Sequence, residues 1–137
     1  MFELLMKLVE ANDIQLVHYN FKHPRLEAMY MYEPFLPPII GLSKKLRHGS
    51  RHFTTILAHE LGHFYTTYKG TISYTYCHYK DRIAASRDER RASLWAAKFL
   101  IPEDRLQEAV SKGLKEVWEL AEFFGVDEEL VRLRMRI

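Results

Sequence analysis

One pentapeptide constrains the fold of this chain more than any other feature: His59-Glu60-Leu61-Gly62-His63. An α-helix advances about 1.5 Å and turns about 100° per residue, so side chains four positions apart lie on the same face. His59 and His63 can therefore bind one metal ion, with Glu60 beside them. Zinc with three protein ligands keeps a position for water and lowers the pKa of that water toward about 7, so a nearby carboxylate can accept its proton. The pattern predicts a helical zinc site with hydrolytic chemistry.

The residues around this pentapeptide favour a helix packed against a core. Ser50 can cap the helix, Phe53, Leu57 and Phe64 recur at helical spacing, and Gly70 can end it. These signals predict a metal helix over residues 50–69. The alternative is a helix that carries two ordinary surface histidines.

The residues before the metal helix predict a helix followed by a short sheet. Residues 2–11 have the apolar spacing of an amphipathic helix, and residues 14–21 and 26–32 read as two strands joined by a turn. A third strand is predicted at 39–42. The preceding Pro37-Pro38 should keep its start from bonding to a neighbour, so this strand should be short or marginal.

A second helix, predicted over residues 86–101, offers a third ligand. Its apolar stripe, extended backward by one turn, reaches Glu89, and an acid on the apolar side of a helix needs a partner because burying an unpaired charge is unfavourable. Zinc is one possible partner. The alternative is a capping box, in which Glu89 bonds only to the backbone at Ser86. Spacing alone leaves both interpretations open.

Residues 71–79, between these two helices, form a polar and aromatic segment that is predicted to be a loop lining the cleft. Tyr76 or His78 could donate a hydrogen bond to a developing oxyanion. The alternative is that these side chains only pack beneath the loop.

The residues after the second helix predict further helices over 103–137. A helix, a turn at Gly125 and a last helix resemble a helix-turn-helix. Asp127, Glu128 and Glu129 begin that last helix, where the phosphates of DNA would approach. The acids favour a helical hairpin packed on the core and argue against direct nucleic-acid binding.

Composition narrows the class of protein. The chain has 137 residues with a net charge of +2 and one cysteine, Cys77, so it has neither a strongly basic composition nor an internal disulfide. It has no apolar run long enough for a membrane span and no signal-peptide pattern at its start, which predicts a cytoplasmic protein without a membrane partner. Its length predicts one domain over 1–137. The predicted segments are the helix and sheet (1–45), the metal helix (50–69), the third-ligand helix (86–101) and the C-terminal helices (103–137).

Three segments together resemble the ImmA/IrrE family of zinc metallopeptidases. They are Leu-Ala-His-Glu-Leu-Gly-His at 57–63, Glu-Arg-Arg-Ala-Ser-Leu-Trp-Ala-Ala-Lys-Phe-Leu-Ile-Pro at 89–102, and Leu-Ala-Glu-Phe-Phe-Gly-Val-Asp at 120–127, with Arg134 beyond. Two positions depart from the family pattern, because Arg91 stands where a second acid is common and Ser93 where Asn is common. The resemblance implies that Glu89 is the third ligand, with Asp88 as the fallback.

The resemblance also implies a fold and a function. The fold would be α+β and zincin-like, with a short three-stranded sheet packed on helices and a C-terminal helical hairpin. The function would be that of a zinc endopeptidase, with His59, His63 and Glu89 as ligands of Zn2+ and Glu60 as general base. Members of the family are typically encoded by phages, mobile elements and stress loci, and several cleave a helix-turn-helix repressor, which implies such a repressor as partner.

A second class of function uses the same fold without catalysis. In it the chain would be a regulatory module that binds protein or DNA, with a structural or vestigial metal site. A structural zinc normally has four protein ligands, and spacing offers a fourth only if His78 closes the site. The intact Glu60 argues against this class.

Overall fold

The computed structural model describes residues 1–67, 71–74, 79 and 86–137, with only the backbone described in 71–74. The fold is α+β, as the sequence predicts. In chain order the elements are α1 (Phe2–Ala11), β1 (Gln15–Tyr19), β2 (Ala28–Tyr32), β3 (Ile39–Ser43), α2 (Arg51–Thr66), β4 (Thr71–Tyr74), α3 (Arg87–Leu100), α4 (Glu103–Ser111), α5 (Val117–Phe124) and α6 (Glu128–Met135).

The sheet has the strand order β1-β3-β2-β4, in which β1 is parallel to β3 and the other neighbours are antiparallel. The third predicted strand therefore lies between the first two and is bonded on both sides. The expectation that prolines would free its start was wrong, because the Gln15 amide donates to the Pro38 carbonyl at 2.9 Å. Proline lacks an N–H donor, but its carbonyl still accepts.

A fourth strand extends the predicted sheet. Residues Thr71–Tyr74 pair antiparallel with β2, in register Met31 to Ile72 and Tyr32 to Thr71. The sequence analysis predicted a loop over 71–79, and this part of that prediction was wrong. The strand β4 begins soon after α2 ends and lies at the edge of the sheet, beside β2. The first part of the predicted loop is therefore a strand.

The helix α2 is central to the structure. Every residue from 53 to 63 is buried, and the helix contacts α1, β2, β3 and α3. A helix buried on all sides is surrounded by protein, so polar side chains on it must find partners within the protein. The start of this helix is set as predicted, since the Ser50 hydroxyl accepts from the Phe53 amide at 3.1 Å.

The hydrophobic core is formed where the sheet and the helices meet α2. Its largest buried apolar side chains come from α1, the sheet, α2, the end of α3 and the C-terminal helices: Leu5, Tyr30, Ile40, Leu42, Ile56, Leu57, Leu61, Leu100, Ile101, Leu120 and Leu130.

The C-terminal hairpin packs on this core. Gly125 ends α5 in the left-handed conformation (φ 67°), which turns the chain back into α6. Leu130 and Val131 are buried, and α6 contacts α3. Arg134 donates to the Ile101 carbonyl at 2.8 Å and to Glu103 Oε2 at 2.7 Å, which fixes the end of α6 to the start of α4. The hairpin is therefore part of the packed structure.

In the part of the chain that the structure describes, no helix is both long and apolar enough to cross a membrane.

Candidate metal centre

The helix α2 holds His59 and His63 one turn apart in the protein interior. Both side chains are 0% exposed, and their ring centroids are 5.0 Å apart at an interplanar angle of 80°. Four residues of helix bring the two rings to one face, and the perpendicular arrangement lets one nitrogen of each ring point toward a common centre.

The helix α3 brings Glu89 to these rings from its first turn. Glu89 Oε2 lies 2.5 Å from His59 Nε2 and 2.9 Å from His63 Nε2, and the residue is 4% exposed. The Ser86 hydroxyl accepts from the Glu89 amide at 3.1 Å, which is one of the two bonds of the capping box that spacing left open. The Glu89 carboxylate itself reaches the histidines. The backbone amide of Glu89 thus takes part in the helix cap, while the carboxylate of the same residue contacts the histidines.

The three side chains have the geometry of a metal site. One donor atom from each of His59, His63 and Glu89 lies within 4.8 Å of the other two. Imidazole nitrogen and carboxylate oxygen are the donor types found in three-ligand catalytic zinc sites. All three side chains are buried, so little water competes for these atoms. The donor set fits a transition-metal ion.

Asp88, the fallback ligand, lies outside this cluster. Its side chain is 52% exposed and its Oδ1 is 3.8 Å from a guanidinium nitrogen of Arg91. Arg91, which departs from the family pattern, thus pairs with the neighbouring acid at the surface.

A close approach of α2 and α3 sets the distance between the histidines and Glu89. A Cβ atom placed on Gly62 would lie 2.3 Å from the Ala92 carbonyl oxygen, which is far inside van der Waals contact. Only glycine fits there, because the backbones of the two helices nearly touch. The glycine inside the pentapeptide therefore allows the third donor to reach the first two.

Two hydroxyl groups lie against the other nitrogens of the rings. Ser93 Oγ is 3.1 Å from His59 Nδ1, and Thr67 Oγ1 is 3.4 Å from His63 Nδ1. Ser93 is 0% exposed, and Thr67 is the residue at which α2 ends. Spacing alone gave no signal for either contact, although the family pattern marks position 93 as usually polar.

Aromatic rings enclose the cluster. Tyr30 of β2 stacks on His63 with centroids 6.0 Å apart and an interplanar angle of 15°, and Tyr79 meets His59 edge to face at 5.6 Å. Burial raises the pKa of the Tyr30 phenol, and the charges of Tyr32 and Glu60 raise it further. The Tyr30 hydroxyl is therefore a protonated donor at neutral pH, and it has no hydrogen-bond partner among the described residues.

Of the remaining predicted site residues, the structure describes Glu60 but not Tyr76 or His78. Glu60 is 0% exposed, follows His59 directly on α2, and is close enough to Tyr30 for its charge to raise the pKa of that phenol. Tyr76 and His78 lie outside the described residues, so their predicted role as oxyanion donors stays a prediction.

A second cluster of histidine and acids, which the sequence analysis missed, lies at the start of α2. His52 Nδ1 is 2.5 Å from Asp127 Oδ2, and His52 Nε2 is 2.5 Å from Glu27 Oε2. The hydrogen bond to Asp127, followed by that to Glu27, raises the pKa of His52 to about 10. Asp127 stands at the N-cap of α6, but its side chain bonds to His52 and not to the helix.

A cavity of about 850 Å³ lies beside this second cluster. Its lining includes His52, Trp118 and Tyr79, and the ring of Tyr79 also contacts His59. The side chain of Tyr79 therefore borders both the cavity and the ring of His59.

Residues 9–136 match the family model described as the IrrE N-terminal-like domain, a peptidase family. No curated protein matches the chain.

Proposed function

The chain belongs to the metallopeptidase family of IrrE N-terminal-like domains, and on this premise we propose that it is a zinc-dependent endopeptidase. In the proposal His59, His63 and Glu89 hold Zn2+ and Glu60 is the general base. The observation that carries it is the convergence of three buried donor atoms within 4.8 Å, two from α2 and one from α3, with Glu60 directly after the first histidine on α2.

The donor types support zinc as the ion. Two neutral imidazoles and one carboxylate form a three-ligand set that leaves an open coordination position, which is the arrangement of catalytic zinc sites. When bound, the ion would supply a Lewis acid that lowers the pKa of water and polarises the scissile carbonyl.

Glu60 would move the protons of the reaction. As the water oxygen attacks the carbonyl carbon of the peptide bond, a Glu60 carboxylate oxygen accepts the proton that the water loses. When the C–N bond breaks, the same oxygen donates that proton to the leaving amine. The products are a carboxylic acid and an amine, the acid then losing its proton to the amine or to solvent, and Glu60 returns to its starting state.

The substrate we propose is a helix-turn-helix transcriptional repressor. The support is the resemblance to the ImmA/IrrE family, in which several members cleave such a repressor and thereby release phage, mobile-element or stress genes. The family assignment itself implies a protein substrate. Because such repressors act on DNA in the cytoplasm, we propose that cleavage takes place there.

Elemental analysis combined with proteolysis tests the proposal. Purified protein should hold about one zinc per chain, and His59→Ala and His63→Ala should each remove it, since each deletes one of three ligands. His18→Ala is the matched control, because His18 is an exposed histidine on β1. Full zinc occupancy in both cluster variants would overturn the proposed site.

The substrate is tested with the repressor encoded nearest to the gene for this chain. Incubation with zinc-loaded protein should give two discrete fragments of the repressor, and chelation should stop the cleavage. An intact repressor in the presence of zinc-loaded protein would overturn the proposed substrate and leave the metal site standing.

A further inference from the structure

Each candidate histidine ligand meets a hydroxyl group at the ring nitrogen that does not face Glu89. For His59 the hydroxyl is Ser93 Oγ at 3.1 Å, and for His63 it is Thr67 Oγ1 at 3.4 Å. The Nε2 atoms of both rings face Glu89 Oε2, so Nε2 is the donor atom that each ring can offer to an ion.

A neutral imidazole carries one N–H and one lone pair, and the partner of one nitrogen decides which of the two it is. If Nδ1 holds the proton, the lone pair of Nε2 is free for a metal ion. A hydroxyl oxygen at hydrogen-bond distance from Nδ1 stabilises this tautomer by accepting from the N–H, and it also fixes the rotation of the ring.

We infer that Ser93 is a positioning residue for the metal site: its Oγ accepts from His59 Nδ1–H and holds Nε2 toward the ion. This inference rests on the proposed function. Ser93 is four residues after Glu89 on α3 and is 0% exposed, so no water competes for Nδ1. One helix thus supplies both the carboxylate ligand and the group that orients a histidine ligand of the other helix.

Thr67 makes the weaker of the two contacts. At 3.4 Å its oxygen is at the long limit of a hydrogen bond, and it is only partly buried at the end of α2. The two histidines should therefore depend unequally on their hydroxyl partners, His59 strongly on Ser93 and His63 weakly on Thr67.

Zinc affinity, measured by competition with a chelator of known affinity, tests this inequality. Ser93→Ala should weaken binding about ten- to a hundredfold, as expected when the partner of a ligating histidine is lost, whereas Thr67→Val should weaken it no more than about threefold. Ser93→Thr keeps the hydroxyl and should restore most of the affinity.

Thr55→Val is the matched control for loss of a buried hydroxyl. Thr55 lies on α2, and its hydroxyl donates to the Arg51 carbonyl and accepts from the Asp127 amide, so neither bond involves the rings of His59 and His63. The control should melt at a lower temperature than the wild-type protein and bind zinc with unchanged affinity. If Thr55→Val weakens zinc binding as much as Ser93→Ala does, general destabilisation explains both and the inference is overturned.

Nitrogen NMR of the imidazole rings gives a readout that a merely structural serine would not change. In the zinc-loaded protein His59 should carry its proton on Nδ1, with slow solvent exchange that becomes fast in Ser93→Ala. A proton on Nε2, or Ser93→Ala affinity within twofold of wild type, would overturn the inference. Wild-type protein that binds no zinc would instead overturn the proposed function, so the two failures are distinguishable.

Discussion

The helix α2 carries histidines into two clusters with acids, and the two clusters differ in how their atoms are arranged. In the middle of the helix two imidazoles converge on one carboxylate oxygen, Glu89 Oε2. At the start of the helix one imidazole, His52, lies between two carboxylates, so its nitrogens bond in opposite directions. The first cluster is buried, whereas the His52 side chain is 38% exposed.

The difference shows that residue type alone does not make a metal site. Convergent lone pairs can share one cation, which replaces the proton that would otherwise bridge them. When the two nitrogens of one ring each face a carboxylate, a ring with a proton on both nitrogens is favoured. This ring is positively charged, so the cluster already contains its own cation. We therefore expect the first cluster to respond to metal and the second to pH.

The largest effect should come from Glu60→Gln. An amide cannot accept the proton of the attacking water, so cleavage should fall by about 10²–10⁴-fold while zinc content stays unchanged. Activity and zinc should be measured on the same sample, with the exposed Glu122→Gln as matched control. Parallel loss of zinc and activity would make Glu60 part of the metal-holding cluster.

Next in size should be the effect of Glu89→Gln, which removes the charge on which the two histidines converge. Zinc affinity should fall by about a hundredfold or more, because an amide oxygen is a poor substitute for a carboxylate. The control is Asp88→Asn, whose side chain is 52% exposed beside Arg91 and should leave affinity unchanged. The reverse result would move the third ligand to Asp88.

Gly62→Ala should have an intermediate effect on both stability and metal binding. The added methyl group would lie 2.3 Å from the Ala92 carbonyl, so α2 and α3 must separate, at a cost of about 1–3 kcal/mol in unfolding free energy. Separation also moves Glu89 away from the rings, so zinc affinity should fall.

Gly41→Ala is the control for Gly62→Ala. Its new methyl group would meet the flexible side chain of Met29 at 3.0 Å, on a strand of the sheet and not between α2 and α3. It should reduce stability at most modestly and leave zinc affinity unchanged. Equal zinc affinities for Gly62→Ala and wild type would show that the helix spacing does not control the site.

The smallest effect should be that of His52→Gln, which breaks the second cluster. Because the ring is partly exposed to water, its ion pairs should contribute only about 1 kcal/mol to the unfolding free energy. The folded-state pKa of about 10 lies above the ordinary value of 6.5, so the contribution should be complete below pH 6.5 and lost as the pH rises through 10. Zinc content should not change.

Urea unfolding of wild-type protein and His52→Gln at pH 6.5, 8 and 10 measures this difference. The gap in unfolding free energy should be greatest at pH 6.5 and should shrink toward pH 10. A gap that is constant or grows with pH would mean that His52 is not held as a cation between its acids.

The parts of this structure that the sequence predicted are those whose signals are local. The cap at Ser50, the turn at Gly125 and the side of α2 that bears the two histidines follow from residues within a few positions of each other. Glu89 could be singled out because an acid broke an otherwise apolar stripe on its own helix.

What the sequence did not predict depends on residues that are distant along the chain. Glu27, His52 and Asp127 share no spacing pattern, since they meet only after β2, α2 and α6 have packed. The central place of β3 depends on how strands pair, and the prolines before it suggested only that its start would not bond to a neighbour. The Gly62 contact requires knowing which face of α3 lies against α2.

The helix α6 is fastened at both ends, and to different partners. Asp127 at its start bonds to His52 and Thr55 of α2, while Arg134 near its end bonds to the Ile101 carbonyl just after α3. It therefore connects α2, which carries the histidines, with the end of α3, which carries Glu89. A connection to both helices opposes sliding of one along the other, so α6 helps to keep the histidines of α2 and Glu89 of α3 at their present separation.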